Sequence, residues 1–179
     1  MSRGNSMFLK AATSLDRAVY FISVLAALGS LLAMFIALLL EVIVRYATHS
    51  GLGWPTELPN LLFPWLVMSG VVLAAQRGQH IAVVALLTVL SKSSRRILLI
   101  GLQITLLVVF VYLADVSLKV IEVTGTEVFP VTRMPAKWAY MALIAGFIGI
   151  AVTALTTIIE LIFADDPDTV RAHNAKADI

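Results

Sequence analysis

The sequence predicts an all-α membrane protein of four transmembrane helices, with an interfacial amphipathic helix between the second and the third. Three observations carry that prediction. Hydrophobic residues make up 60% of the 179 residues and charged residues only 13%, about half the charged share of an average soluble domain. The apolar residues come in long blocks, not in the short alternations of a globular core. The charged residues gather at the edges of those blocks.

The first block, residues 18–40, contains no charge, and as a helix it reaches about 35 Å, enough to cross the hydrocarbon core. It exceeds the h-region of a signal peptide and runs into Glu41 with no small-residue cleavage site, so it is expected to be retained. The second block, 58–75, holds Pro59, Asn60 and Pro64. Pro59 suits a first helical turn, whereas Pro64 is expected to bend or loosen the helix. The third block, 97–114, continues past Asp115, and the fourth ends near Glu160. The chain is thus expected to divide into an N-terminal segment 1–17, a transmembrane domain 18–163 and a tail 164–179. The spans are placed at 18–46, 57–76, 96–122 and 136–163.

Residues 79–90 are apolar but short for a span, and Lys92, Arg95 and Arg96 follow them. An interfacial helix fits that length and basic border; a turn with an early start to the third span is the alternative. Asp165, Asp166, Pro167 and Asp168 open a tail that reads as solvated.

Basic residues set orientation, because they are retained in the cytoplasm more strictly than acids are placed. Arg3, Lys10, Arg17, Arg77, Lys92, Arg95, Arg96, Arg171 and Lys176 fall on the side of the termini, against Arg45, Lys119, Arg133 and Lys137 on the other. The chain is therefore expected to be multi-pass, with both termini cytoplasmic. The basic residues read as topology signals scattered at block edges, and no nucleic-acid partner is expected from a net charge of +2.

The absence of cysteine removes disulfides, thiolate metal sites and cysteine nucleophiles together. His49, His80 and His173 fall in one loop, another loop and the tail, which does not suit a bis-histidine haem. No phosphate loop, nucleophile elbow or dinucleotide fingerprint occurs. No catalytic, cofactor or metal residue is therefore expected, and the chain is read as a non-enzyme.

Several residues are candidates for contact with partners. Glu41 and Arg45 stand four apart, acid first, the favourable order for a same-face ion pair. They either pair against a neighbouring helix or snorkel into the headgroups. Asp115 and Lys119 repeat that spacing at the interface, and no acid lies near mid-membrane, where a proton or cation relay needs one. Trp138 and Tyr140 suit an aromatic belt. Trp54 precedes Glu57, which complements the dipole at the start of the second span, and this segment could present a docking surface. Gly70, Ala74 and Ala75, with Gly146, Gly149 and Ala154, offer faces where helices can approach closely.

Arg45, Trp54, Glu57, Trp65, Gly70, Ala74, Arg77 and His80-Ile81 occur in an order that resembles the DctQ-like small membrane subunit of tripartite ATP-independent periplasmic (TRAP) transporters. Pro135, Trp138 and Gly146 extend the resemblance over roughly residues 18–163. Asn60, Val84 and Ile144 depart from residues frequent in that family. The resemblance implies a scaffold subunit whose partners are a large multi-span transport subunit, a periplasmic solute-binding protein and membrane lipid. It also implies a place in a bacterial inner (cytoplasmic) membrane and sodium-driven uptake of a small organic acid. The interface candidates are Glu41, Arg45, Trp54 and Glu57, together with Arg77, His80, Arg133 and Trp138. A membrane anchor for a redox enzyme complex is the alternative, and an intramembrane enzyme using Glu41, Asp115 or Glu160 is a third reading.

Overall fold

A computed structural model describes residues 3–77 and 91–163, with side chains described from residue 9 onward except at Lys92. The interfacial helix expected over 79–90, His80 within it, and the tail 164–179 lie outside the described residues. Four helices appear, α1 (Arg3–Thr48), α2 (Trp54–Arg77), α3 (Lys92–Thr124) and α4 (Lys137–Phe163). Each is long and apolar enough to cross a membrane, as the block pattern predicts.

α1 has 46 residues, about 69 Å of helix, more than twice the thickness of a hydrocarbon core. Its uncharged run covers only the middle, so both ends extend beyond it. The buried positions are Ala12, Asp16, Ser23, Ser30, Met34, Ala37 and Glu41. They recur in steps of three, four and seven, the repeat of a seam between two nearly parallel helices. Most of these side chains are small, which lets the backbone of α2 come close. The opposite side of α1, with Phe21, Leu28 and Phe35, is exposed along the span.

α2 runs unbroken through Pro59 and Pro64. Each ring removes a donor from the helix, so the carbonyl of Asn60 lacks its usual partner at Pro64. α3 starts at an N-cap, Ser91, whose hydroxyl oxygen accepts from the Ser94 N–H at 3.4 Å. It closes at Gly125, whose N–H donates to the Ile121 carbonyl at 2.8 Å. A side chain at Gly125 would collide with that same carbonyl.

α4 is the hub. It packs against α3 and α2 and, less extensively, α1, while α2 also packs along α1. Within the most apolar window, 44% of α4 is buried, against 6% of α3. Glycines make this possible: a Cβ on Gly146 would come within 2.8 Å of the Met68 Cβ, and one on Gly149 within 3.0 Å of Val72. Phe110 of α3 meets Phe147 of α4 with ring centroids 5.7 Å apart. Ala154 is buried as well. Gly70 and Ala74 differ, since both are exposed and nothing lies within 4 Å of a Cβ built on Gly70. Among the described residues, nothing packs on the small face of α2 around Gly70.

The α1–α2 and α3–α4 connections lie at one end of the bundle, here the loop end. The start of α1, the end of α2, the start of α3 and the end of α4 lie at the other, the terminal end.

Candidate functional site

At the loop end, two carboxylates tie two loops to the helices. α1 ends with His49 in the left-handed region, φ 57°, and its N–H returns to the Arg45 carbonyl at 3.0 Å. Glu41, one of the buried seam residues, accepts the Leu52 N–H at 2.9 Å and faces the Arg45 guanidinium at 3.4 Å. Gly51 lets the Glu41 carboxylate come close, and a Cβ there would displace that carboxylate. Gly53 has φ +79°, which glycine adopts without steric cost, and it turns the chain into α2. Its carbonyl accepts the Thr56 hydroxyl at 2.6 Å.

The α3–α4 loop is a short hairpin. Val128 and Pro135 form an isolated antiparallel bridge, the Phe129 N–H donates to the Met134 carbonyl at 3.0 Å and the Ala136 N–H to the Glu127 carbonyl at 2.8 Å. Arg133, at φ 56°, closes the turn. The tip then docks on α2, where Glu57 accepts the N–H groups of Val131 and Thr132 and the Thr132 hydroxyl, each at 2.8 Å. Further along α2, the Trp65 indole N–H donates to the Trp138 carbonyl at 2.9 Å. α2 thus holds the tip of the α3–α4 connection through Glu57 and the start of α4 through Trp65. Trp54 and Trp138 remain exposed on the same end, with Val128, Val131 and Met134 beside them.

A second polar cluster sits at the terminal end. The Gln76 amide donates to the Asp16 carbonyl at 2.9 Å and to its carboxylate at 3.3 Å, and the Thr156 hydroxyl donates to the same carboxylate oxygen at 3.2 Å. Asp16, Gln76 and Thr156 are all buried, Thr156 to 1% exposure. They come from α1, α2 and α4, so this cluster joins the three helices at one level. Asp16 precedes Glu41 by 25 residues on α1, about 37 Å, so a buried acid marks each end of the span.

Of the residues singled out in the sequence, Glu41 and Arg45 are paired, with Glu41 buried and Arg45 exposed. Glu57, Arg133 and Trp138 come together around the hairpin, and Trp54 begins the helix that holds it. Arg77 lies apart, at the terminal end of α2. Asp115 and Lys119 form a surface pair at 3.6 Å with both side chains mostly exposed. The cluster of Asp16, Gln76 and Thr156 was missed. Its signal was a set of polar residues near span ends, which points nowhere until helices 60 and 140 residues apart are in register.

The chemistry of this arrangement is cohesive. Glu57 already accepts three donors and Glu41 two. Between the two clusters, residues 18–40, 58–75, 97–114 and 138–159 contain no Asp, Glu, Lys, Arg or His. Among the described residues no group of three or more His, Cys, Asp or Glu could hold a metal ion.

Known proteins match this chain along most of its length. A protein of Haemophilus influenzae named as a TRAP transporter small permease protein is 27% identical over 135 residues, covering 75% of this chain and 79% of that protein. A second of that name in the same organism is 27% identical over 130 residues, covering 73% and 81%. A longer protein of Sinorhizobium fredii, y4mM, is 28% identical over 147 residues, covering 82% of this chain and 27% of that protein. Residues 34–164, from the later part of α1 through both docked loops and all of α4, match the family described as tripartite ATP-independent periplasmic transporters, DctQ component, and the chain belongs to that family as the small membrane subunit of a TRAP transporter.

Proposed function

We propose that this subunit is a fixed scaffold for a large multi-span transport subunit, in sodium-driven uptake of a small organic acid delivered by a periplasmic binding protein. The observation that carries the reading is where the ionisable groups lie. Both clusters of buried acids are at span ends, and their oxygens accept hydrogen bonds from the chain itself. A translocating subunit needs polar groups and interrupted helices near mid-membrane, whereas these helices are unbroken and uncharged there. Large apolar faces on α1 and α3, and the small face of α2 around Gly70 and Ala74, offer surface to a membrane partner.

The orientation proposed puts both termini in the cytoplasm of a bacterium, because nine of the thirteen Lys and Arg residues lie on that side. The loop end then faces the periplasm, and Trp54, Arg133 and Trp138 stand where a binding protein would dock. Glu41, Arg45 and Glu57 hold that surface in shape, and Arg77 and His80 belong to the cytoplasmic side. An affinity-tagged chain extracted in mild detergent is expected to bring down a large multi-span membrane protein in a fixed ratio. Recovery of the tagged chain alone, from cells that carry out the uptake, would count against the scaffold role.

A further inference from the structure

Two neighbouring residues of α1 face different surroundings at the terminal end. The Asp16 carboxylate turns into the bundle, bonded to Gln76 and Thr156. Arg17, about 100° further round the helix, is exposed, and so is Lys10, seven residues earlier on the same face. Among the described residues neither cation has an acidic partner. Thr13 between them spends its hydroxyl on the carbonyls of Leu9 and Lys10. In the other direction the face continues through Phe21 and Leu28, 61% and 53% exposed.

Read singly, these basic residues are topology signals. The helix, unbroken from Arg3, makes them a strip: Lys10 stands about 10 Å beyond Arg17, and Arg17 itself borders the uncharged run that begins at residue 18. That border is where a bilayer places its phosphates. Asp16 is the sole acid in residues 1–40, and its burial leaves the outward face purely cationic. Cytoplasmic retention by itself requires neither a shared face nor a hidden acid.

We infer that this face of α1 binds the headgroups of anionic phospholipids, with Lys10 and Arg17 contacting the phosphates and the Phe21–Leu28 face lying along the acyl chains. The attraction is electrostatic and short-ranged in salt. It holds whichever leaflet the terminal end faces, so it stands apart from the transport reading.

Native mass spectrometry of the full chain in mild detergent tests it, with phosphatidylglycerol and phosphatidylcholine of matched acyl chains added at equal concentration. Phosphatidylglycerol adducts should exceed phosphatidylcholine adducts severalfold. The excess should collapse in the double variant Lys10→Gln, Arg17→Gln and persist in Lys119→Gln, which removes an exposed cation at the other end. If the double variant does not fold, raising the ionic strength on the unaltered chain decides instead, because the excess should shrink with salt. Equal retention of the two lipids, an unchanged excess in the double variant, or an excess insensitive to salt overturns the inference.

Discussion

At the scale of single residues, Glu41 and Glu57 act as caps for backbone donors. Glu41 closes the α1–α2 loop by accepting the Leu52 N–H, and a hydrogen bond of this kind contributes about 0.5–1.5 kcal/mol net. Glu41→Ala is therefore expected to lower stability by an amount in that range, read by thermal unfolding in detergent. Glu57→Gln makes a sharper case. Its amide nitrogen would replace one of the two carboxylate oxygens and face either the Val131 or the Thr132 N–H, which needs an acceptor, so the hairpin should loosen while α2 stays helical. Limited proteolysis is expected to cut residues 126–135 several times faster in that variant, with helix content by circular dichroism unchanged. An uncut loop would mean that the three bonds to Glu57 do not hold the hairpin.

At the scale of elements, α4 is the organising helix and its glycines set how near α2 can come. A Cβ at Gly146 meets the Met68 side chain, its Cβ and Cε included, and overpacking of a close helix contact costs about 1–3 kcal/mol. Gly146→Val is expected to destabilise the bundle by that order, and a cysteine pair placed across α2 and α4 should cross-link more slowly in its presence. Gly70→Val is the matching control: nothing among the described residues opposes it, so the isolated subunit should keep its stability. Association with a partner packed on that face should weaken. The four helices themselves were legible in the sequence, because an uncharged run of span length has few other uses. Pro64 lies inside α2, which continues through it. The clasp of Asp16, Gln76 and Thr156 was not legible, because polar residues at span ends look alike until the register of three helices is known. The grip of Glu57 on Thr132 was hidden for a related reason: it depends on a hairpin closed by Arg133 at φ 56°, an arginine conformation that residue type does not announce.

At the scale of the whole molecule, two polar layers hold the bundle, one at each end of an apolar middle. Hydrogen bonds across α1, α2 and α4 fix the terminal end, and the docked loops fix the loop end. Between them the chain presents apolar surface outward and packs small residues inward. Such a body resists deformation and offers little to a polar solute, which suits a support against which another subunit moves. The direct measurement is uptake of radiolabelled sodium and of a panel of small organic acids by proteoliposomes containing this subunit alone, compared with liposomes that also contain the large transport subunit and the binding protein. The account predicts background flux for the subunit alone and sodium-dependent uptake only in the complete mixture; saturable flux of either sodium or an acid through this chain by itself would contradict it.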